Sequence, residues 1–509
     1  MPIHTIQKEL LFHISLFLGN EDHKQLSCTA KTFKNLDVEK AHCTEHLTVD
    51  GYLLNKIRLY TLPNTTNPDV EQPRSKSNTT AIKELVIASD ATKVLTNDDL
   101  EKLAKLGFIH EKNEVINLGF CNQITDLSPL QSYTALTRLN LMDCHQITDL
   151  SPLASCTALT SLNLEDCHQI TDLSPLASCT ALTNLNFWGC NQITNLSPLQ
   201  NCTALTKLDL RDCSQITDLS PLASCTALAS LNLSHCHEIT DLSPLASCTA
   251  LTSLVLKGYN QITDLSPLAS CKALTRLNLR WCNQITNQIL STLPVLLELT
   301  SLDLSWCRQI TDLSPLANYT ALTNLNLNGC FRITDLSPLA SCTTLTSINL
   351  RESHQITNFS PLANCSTLKS LDLSLCKHIT DLSPLASCTA LTSINLENCD
   401  QITDQILSTL PVLPELIHLN LENCDQITDL SPLANCSTLK SLDLSLCKHI
   451  TDLSPLTSCT ALTNLNLHGC TRITDLSPLA NHPTLSELIG PDGEKVDLTS
   501  LSNTQQPSP

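Results

Sequence analysis

The sequence predicts an α/β solenoid whose short strands form a parallel sheet on the concave face, with a small helical module in front of it. Three observations predict it. A tripeptide beginning Ile-Thr recurs with Ile at 124, 147, 170, 193, 216, 239, 262, 285, 310, 333, 356, 379, 402, 427, 450 and 473. Thirteen of the fifteen intervals are 23 residues and two are 25, so one structural unit repeats at nearly fixed length. Aromatic residues are 3% of the 509, too few for an ordinary globular core but enough for one of stacked Leu, Ile and Ala.

The unit Leu159–Thr180 reads LTSLNLEDCHQITDLSPLASCT, and the shared pattern is LxxLxLxxCxxITDLSPLAxC. Leu159, Leu162 and Leu164 alternate as a short strand with one buried face. Ser174 followed by Pro175 fits a helix cap with proline at the first helical position, and Leu-Ala then returns the chain to the core as a short helical or 3₁₀ turn. One unit cannot bury its apolar side alone. Stacking sets strands about 4.8 Å apart and merges the leucines into one core.

This pattern resembles the leucine-rich-repeat superfamily, blending its short internalin-like class with its cysteine-containing class, over roughly three-quarters of the chain. The resemblance implies a leucine-rich-repeat horseshoe that serves as a surface for another macromolecule. The two 25-residue units, ITNQILSTLPVLLEL from Ile285 and ITDQILSTLPVLPEL from Ile402, replace the Ser-Pro turn with a helix-forming run, which predicts a longer convex helix in both. Ser360–Leu385 is identical to Ser431–Leu456, 71 residues downstream, so similarity among repeats is partly the record of duplication.

Of the 27 cysteines, fourteen occupy one repeat position (Cys121 onward to Cys470) and eleven a second (Cys156 onward to Cys459). No CxxC pair occurs, and a small buried hydrophobe with a weak donor suits a recurrent slot in a tight turn. A ladder of reduced thiols is the reading, and it favours a cytoplasmic location. A formal charge of −19 argues against nucleic acid or an anionic membrane as partner. Leu10–Gly19 is apolar, but Lys8, Glu9 and His13 and the lack of a small-residue cleavage site argue against a signal peptide.

The ends are irregular. Residues 46–112 are expected to form an irregular first repeat or cap, with a strand in Ile82–Asp90, a helix in Asn97–Leu106 and a flexible loop at 62–80. The regular solenoid is expected over 113–490, then a C-terminal cap and disordered tail over 491–509. Residues 1–45 form the helical module: Leu10, Leu11, Ile14, Phe17 and Leu18 share one helical face, and Leu26, Ala30 and Phe33 mark a second short amphipathic stretch.

Glu9-Leu10-Leu11, Ile14, Phe17-Leu18, Asp22, Leu26 and Thr-Ala-Lys-Thr-Phe at 29–33 resemble an F-box, although Ile6-Gln7 stands where that family usually has Leu-Pro. The resemblance implies the substrate-recognition subunit of a Skp-cullin-F-box ubiquitin ligase. A Skp-type adaptor would dock on Glu9, Leu10, Leu11, Ile14, Phe17, Leu18 and Leu26, with the cullin complex behind it. The alternative is a non-catalytic leucine-rich-repeat adaptor, or a microbial effector or adhesin-like protein with no ubiquitin link, an effector acting in a host cytosol.

No catalytic constellation, cofactor motif or metal-ligand spacing is present, so no enzyme and no cofactor are expected. The informative residues are those that differ between repeats. In LxxLxLxxC the fifth position is a monotonous Asn or Asp, broken by Val255, whereas the seventh and eighth vary and hold all three tryptophans. Trp188, Trp281 and Trp306, with Lys207, Arg211, Lys257, Arg276 and Arg280, make an aromatic and basic group in an acidic chain. Trp and Arg are enriched in binding hot spots, so these eight residues are the candidate target-binding site.

Overall fold

The computed structural model describes residues 46–49, 54, 84–87, 94–105, 113–131, 133–259 and 261–499. The F-box-like module at 1–45, the loop at 62–80 and the end of the tail lie outside the described residues. The chain divides into two compact units, Met1–Ala250 and Leu251–Pro509.

Among the described residues of the first unit, eight strands pair in parallel, each with the next in sequence: β1 (His46–Val49), β2 (Glu84–Ile87), β3 (Val115–Asn117), β4 (Arg138–Asn140), β5 (Ser161–Asn163), β6 (Asn184–Asn186), β7 (Lys207–Asp209) and β8 (Ser230–Asn232). The second unit continues the pattern through eleven described strands, from β9 (Ser253–Val255), β10 (Arg276–Asn278) and β11 (Ser301–Asp303) to β19 (Glu487–Ile489). Register follows the repeat, so Leu162 faces Leu139 and Leu185, and every such leucine is buried. The strand at 82–90 and the helix after it are found as β2 and α1 (Asn97–Lys105). The strand β1 was not anticipated.

Hydrogen bonds between equivalent residues hold each coil to the one before it. Thr160 Oγ1 donates to the Thr137 carbonyl at 2.9 Å and Thr183 Oγ1 to the Thr160 carbonyl at 3.0 Å. The first cysteine row does the same inside the core. Cys144 Sγ donates to the Leu118 carbonyl at 3.1 Å, and that oxygen also accepts the Cys121 backbone N–H at 3.1 Å. One strand-end carbonyl thus has both lone pairs used, which is how a polar atom survives burial here. Cys167, Cys190, Cys213 and Cys236 repeat the bond at 3.0–3.1 Å. The second row bonds more loosely, at 4.0 Å from Cys156 and 3.5 Å from Cys179.

The Ser-Pro segment is a 3₁₀ turn, five residues long in Ser174–Ser178. Its cap corrects the expectation for Ser174. Asp172 Oδ1 accepts the Ser174 backbone N–H at 2.8 Å and its hydroxyl at 2.5 Å, so the aspartate caps and the serine is the capped residue. The 25-residue units do form α-helices, α2 (Asn287–Ser291) and α3 (Asp404–Leu407), capped by Thr286 and Thr403. They are only five and four residues long, and Pro294 and Pro411, three and four residues past their ends, bar any further turn because proline cannot continue a helix. The extra length goes into the segment behind them, where Val295, Leu297 and Val412 are exposed.

Candidate functional site: the turn row of the second unit

Apart from β9, where Val255 holds the fifth position, the repeat strands end the same way. The fifth-position Asn or Asp turns back to accept the backbone N–H two residues on: Asn278 from Arg280 at 2.9 Å, Asp303 from Ser305 at 2.9 Å, Asn326 from Asn328 at 3.1 Å. That monotonous row is therefore scaffolding. The eighth residue then enters the left-handed region. Among the described residues twelve non-glycine side chains sit there, with φ from 54° to 66°, and Gly189, Gly258, Gly329 and Gly469 fill the remaining repeats. Its N–H bonds the next coil, as Trp281 does with the Ser305 carbonyl at 2.8 Å and Trp306 with the Asn328 carbonyl at 2.7 Å. The geometry sets out positions seven, eight and ten as a row along the edge of the sheet.

Trp281 and Trp306 both hold φ of 63°, a conformation that Gly, Asn or Asp accepts far more readily than a bulky residue. Trp281 is 41% exposed. The Lys257 ammonium lies 5.1 Å and the Arg280 guanidinium 5.2 Å from its ring. Trp306 leans over Gly329, where an added Cβ would stand 2.8 Å from the indole. Arg308 stands 5.1 Å from the Trp306 ring and 5.8 Å from the Phe331 ring. Neither Arg280 nor Arg308 has an ion pair among the described residues, and the Arg280 Nε is buried without a partner.

The structure thus brings together Lys257, Arg280, Trp281 and Trp306 of the residues chosen from sequence. Arg276 lies apart from the rings, exposed on the sheet face in β10. Arg308 and Phe331, at the tenth position, were missed; the only signal was an Arg and a Phe directly after the repeat cysteine, where polar turn residues are usual.

In the first unit Trp188 and Arg211 also meet, with the guanidinium 4.2 Å over the ring. Here the indole and the guanidinium terminus are already engaged, although the Arg211 Nε, like that of Arg280, is buried without a partner. The indole N–H donates to Asp212 Oδ2 at 2.9 Å, and Arg211 pairs with Asp209 at 2.8 Å. Lys207 lines a shallow depression of about 240 Å³ with Ser161, Asn163, Asn184, Asn186 and Asp209.

Burial pushes the Cys144, Cys190 and Cys282 thiols up to about 12, so they stay neutral and poorly nucleophilic at ordinary pH. No group of three or more His, Cys, Asp or Glu among the described residues is placed to hold a metal ion, and no described helix is long and apolar enough to cross a membrane.

Comparison with known proteins bears on the scaffold. A model of paired leucine-rich repeats matches residues 114–155, 157–201, 203–247, 249–296, 297–341, 320–364, 414–457 and 437–481, and a single-repeat model matches 364–382. Neither reaches the F-box-like segment. An internalin, inlF of Listeria monocytogenes, is 30% identical with a TM-score of 0.44, over 71% of this chain and 87% of that one. The functional domain of InlJ from Listeria monocytogenes, described as including a cysteine ladder, is 26% identical with a TM-score of 0.50, over 72% and 74%. A leucine-rich-repeat protein of Leptospira interrogans is 17% identical with a TM-score of 0.56, over 77% and 91%. No curated protein matches by sequence.

Proposed function

Because this chain belongs to the leucine-rich-repeat family, we propose that it is a non-catalytic binding scaffold whose target protein docks on the turn row at Lys257, Arg280, Trp281, Trp306 and Arg308. One observation carries the reading: two tryptophans occupy left-handed positions where smaller residues fit better, Trp281 with Lys257 and Arg280 at its ring and Trp306 with Arg308. The conformation alone does not single them out, since Phe120, His235, Leu375 and Leu446 hold φ of 60–66° as well; the guanidinium set against each indole does. An acidic or phosphorylated segment with an apolar anchor suits the row, since Arg pairs bidentately with carboxylate or phosphate. Trp188, Lys207, Arg211 and Arg276 remain candidate contacts outside this row.

Replacing Arg280 and Trp281 with Ala is expected to weaken target capture by about 2 kcal/mol or more while the thermal midpoint stays close to wild type. The same change at Lys448 and His449 serves as control. Loss of the target in the control and its retention in the Arg280/Trp281 variant would place the site elsewhere.

The resemblance of residues 6–36 to an F-box supports a further step, in which the scaffold presents its target to a Skp-type adaptor and cullin complex for ubiquitin transfer in the cytoplasm. Replacing Leu10 and Ile14 with Ala should then abolish adaptor binding, since losing one well-packed aliphatic anchor costs about 2–5 kcal/mol. A second reading, an adhesin- or effector-type repeat protein with no ubiquitin link, is favoured by the likeness to InlJ and its cysteine ladder. Adaptor pull-down with wild type and the double variant separates the two.

A further inference from the structure

The left-handed residues of the second unit run Gly258, Trp281, Trp306, Gly329, Glu352, Leu375, Asn398, Asn423, Leu446 and Gly469, one per repeat, and the seven from Trp281 to Asn423 change character along their length. This seven-residue stretch is basic and aromatic at its start and acidic at its end, and beyond it Leu446 and Gly469 follow with Lys448 and His468 beside them. Arg280 lies at the seventh position of the first of these seven repeats, and Glu422 at the seventh position of the last. Arg308 lies at the tenth position of the second, and Asp400 at the tenth of the second from last.

We propose that this row pairs with the same row of a second copy of the chain, antiparallel, about a two-fold axis passing at Glu352. Glu352 is the fourth of the seven residues, so that axis sets Arg280 against Glu422 of the second copy and Arg308 against Asp400 of the second copy. The same operation sets the Phe331 ring against the exposed Lys377 of the second copy, a cation and an aromatic face that attract. Both rows advance by one strand spacing, about 4.8 Å per repeat, so a single match in register brings the others with it.

The ion pairs within the chain agree with this arrangement. Near the axis Arg351 is satisfied internally, 3.9 Å from Glu352 and 3.6 Å from Glu397. The four charges that the two-fold joins, Arg280, Arg308, Asp400 and Glu422, have no ion pair among the described residues. A two-fold contact needs one self-complementary patch, and across these seven repeats Arg280 and Glu422, and Arg308 and Asp400, lie at equal distances from the centre, where Arg351 and Glu352 of each copy neutralise one another. Seven repeats give a strip about 30 Å long, smaller than a standard interface, so the dimer is weak and salt-sensitive. It would cover Trp281, so a second copy and a target compete for the row. The inference does not rest on the target reading, because it is tested with the purified chain alone.

Sedimentation velocity of the full chain over a range of concentrations is expected to show a dimer at low salt that dissociates at high salt. Arg280→Glu and Glu422→Arg should each weaken it about tenfold or more, because each makes two like-charge contacts across the axis. Mixing the two variants should restore association to within about threefold of wild type, since every contact between them is again of opposite sign. If either variant fails to fold, Arg308→Glu with Asp400→Arg provides the same cycle. A wild-type chain that stays monomeric, a dimer indifferent to both reversals, or a mixture that gains nothing would each overturn the proposal.

Discussion

The repeats beginning at Leu251, Leu274 and Leu299 share a backbone with those beginning at Leu391 and Leu416, and have opposite chemistry on it. The first group carries Lys257, Arg280, Trp281, Trp306 and Arg308 along its turn row. The second carries Glu397, Asn398, Asp400, Glu422, Asn423 and Asp425 there. Scaffold bonds recur in both, although the repeat from Leu251 has Val255 and Tyr259 in place of the Asn and Cys: Asn278 and Asn420 accept the N–H two residues ahead at 2.9 and 2.8 Å, and Cys307 and Cys424 bond a leucine carbonyl at 3.1 Å. What differs is how well the eighth residue suits its conformation. Asn398 and Asn423 sit at φ of 56° and 54°, which Asn tolerates, whereas two tryptophans occupy the equivalent place at 63°. The fold favours Asn or Asp at position five and Cys at position nine, with Val255, Tyr259 and Ser353 as exceptions, and leaves seven, eight and ten freer, so recognition can be written there without rebuilding the core.

The largest effect that would test this contrast is at Gly329. An added Cβ would meet the Trp306 ring at 2.8 Å on a backbone with φ of 72°. Gly329→Ala should therefore cost about 2 kcal/mol, while Asn398→Ala should cost less than about 1 kcal/mol. Denaturant unfolding measures both, and Trp306 fluorescence should change only in the first. Equal costs would mean that the ring is not seated on the glycine.

A smaller effect is expected with pH, and its sign differs along the chain. Burial, then Asp443 and Glu397, push the Glu422 carboxyl above its ordinary value. Folding thus disfavours its charged form, a penalty present above the raised value and relieved as pH falls through it. Glu422→Gln should raise the thermal midpoint at pH 7 and lose that advantage in acid, read at concentrations where the chain is monomeric. The turn caps behave oppositely. Hydrogen bonds from the Ser174 hydroxyl and N–H hold Asp172 below its ordinary value. Its contribution is present above about pH 4 and fades as pH falls through the lowered value. Asp172→Asn should keep the cap, as Asn195 does for Ser197 at 2.8 Å, and remove that acid sensitivity.

The period, the inward leucines and the 3₁₀ turn were legible in sequence because each coil carries its own local pattern and the pattern recurs at fixed spacing, from which stacking and burial follow. So was the scaffolding role of the Asn row, whose bond spans two residues. The Asp172 cap was misassigned to Ser174 because both residue types cap helices, and only the direction of the bond decides between them. The helices α2 and α3 were read too long because the apolar run outweighed Pro294 and Pro411. The left-handed turn had a signal, the recurrence of Gly189, Gly258, Gly329 and Gly469 among Asp and Asn at one position. Arg308 was out of reach, because its contact with Phe331 exists only once neighbouring repeats are stacked.

The first cysteine row reaches back one coil and no further, and its acceptor is a main-chain carbonyl that every coil possesses. A seam between any two equivalent points of the chain therefore restores every such bond, whichever copies are joined. The recurrence of Ser360–Leu385 at Ser431–Leu456 is offset by 71 residues, which is two coils of 23 and one of 25. Such a chain can be lengthened by copying a stretch of its own gene, provided the copied length is a whole number of coils. Its length is then open to inheritance in a way that the length of a closed globule is not.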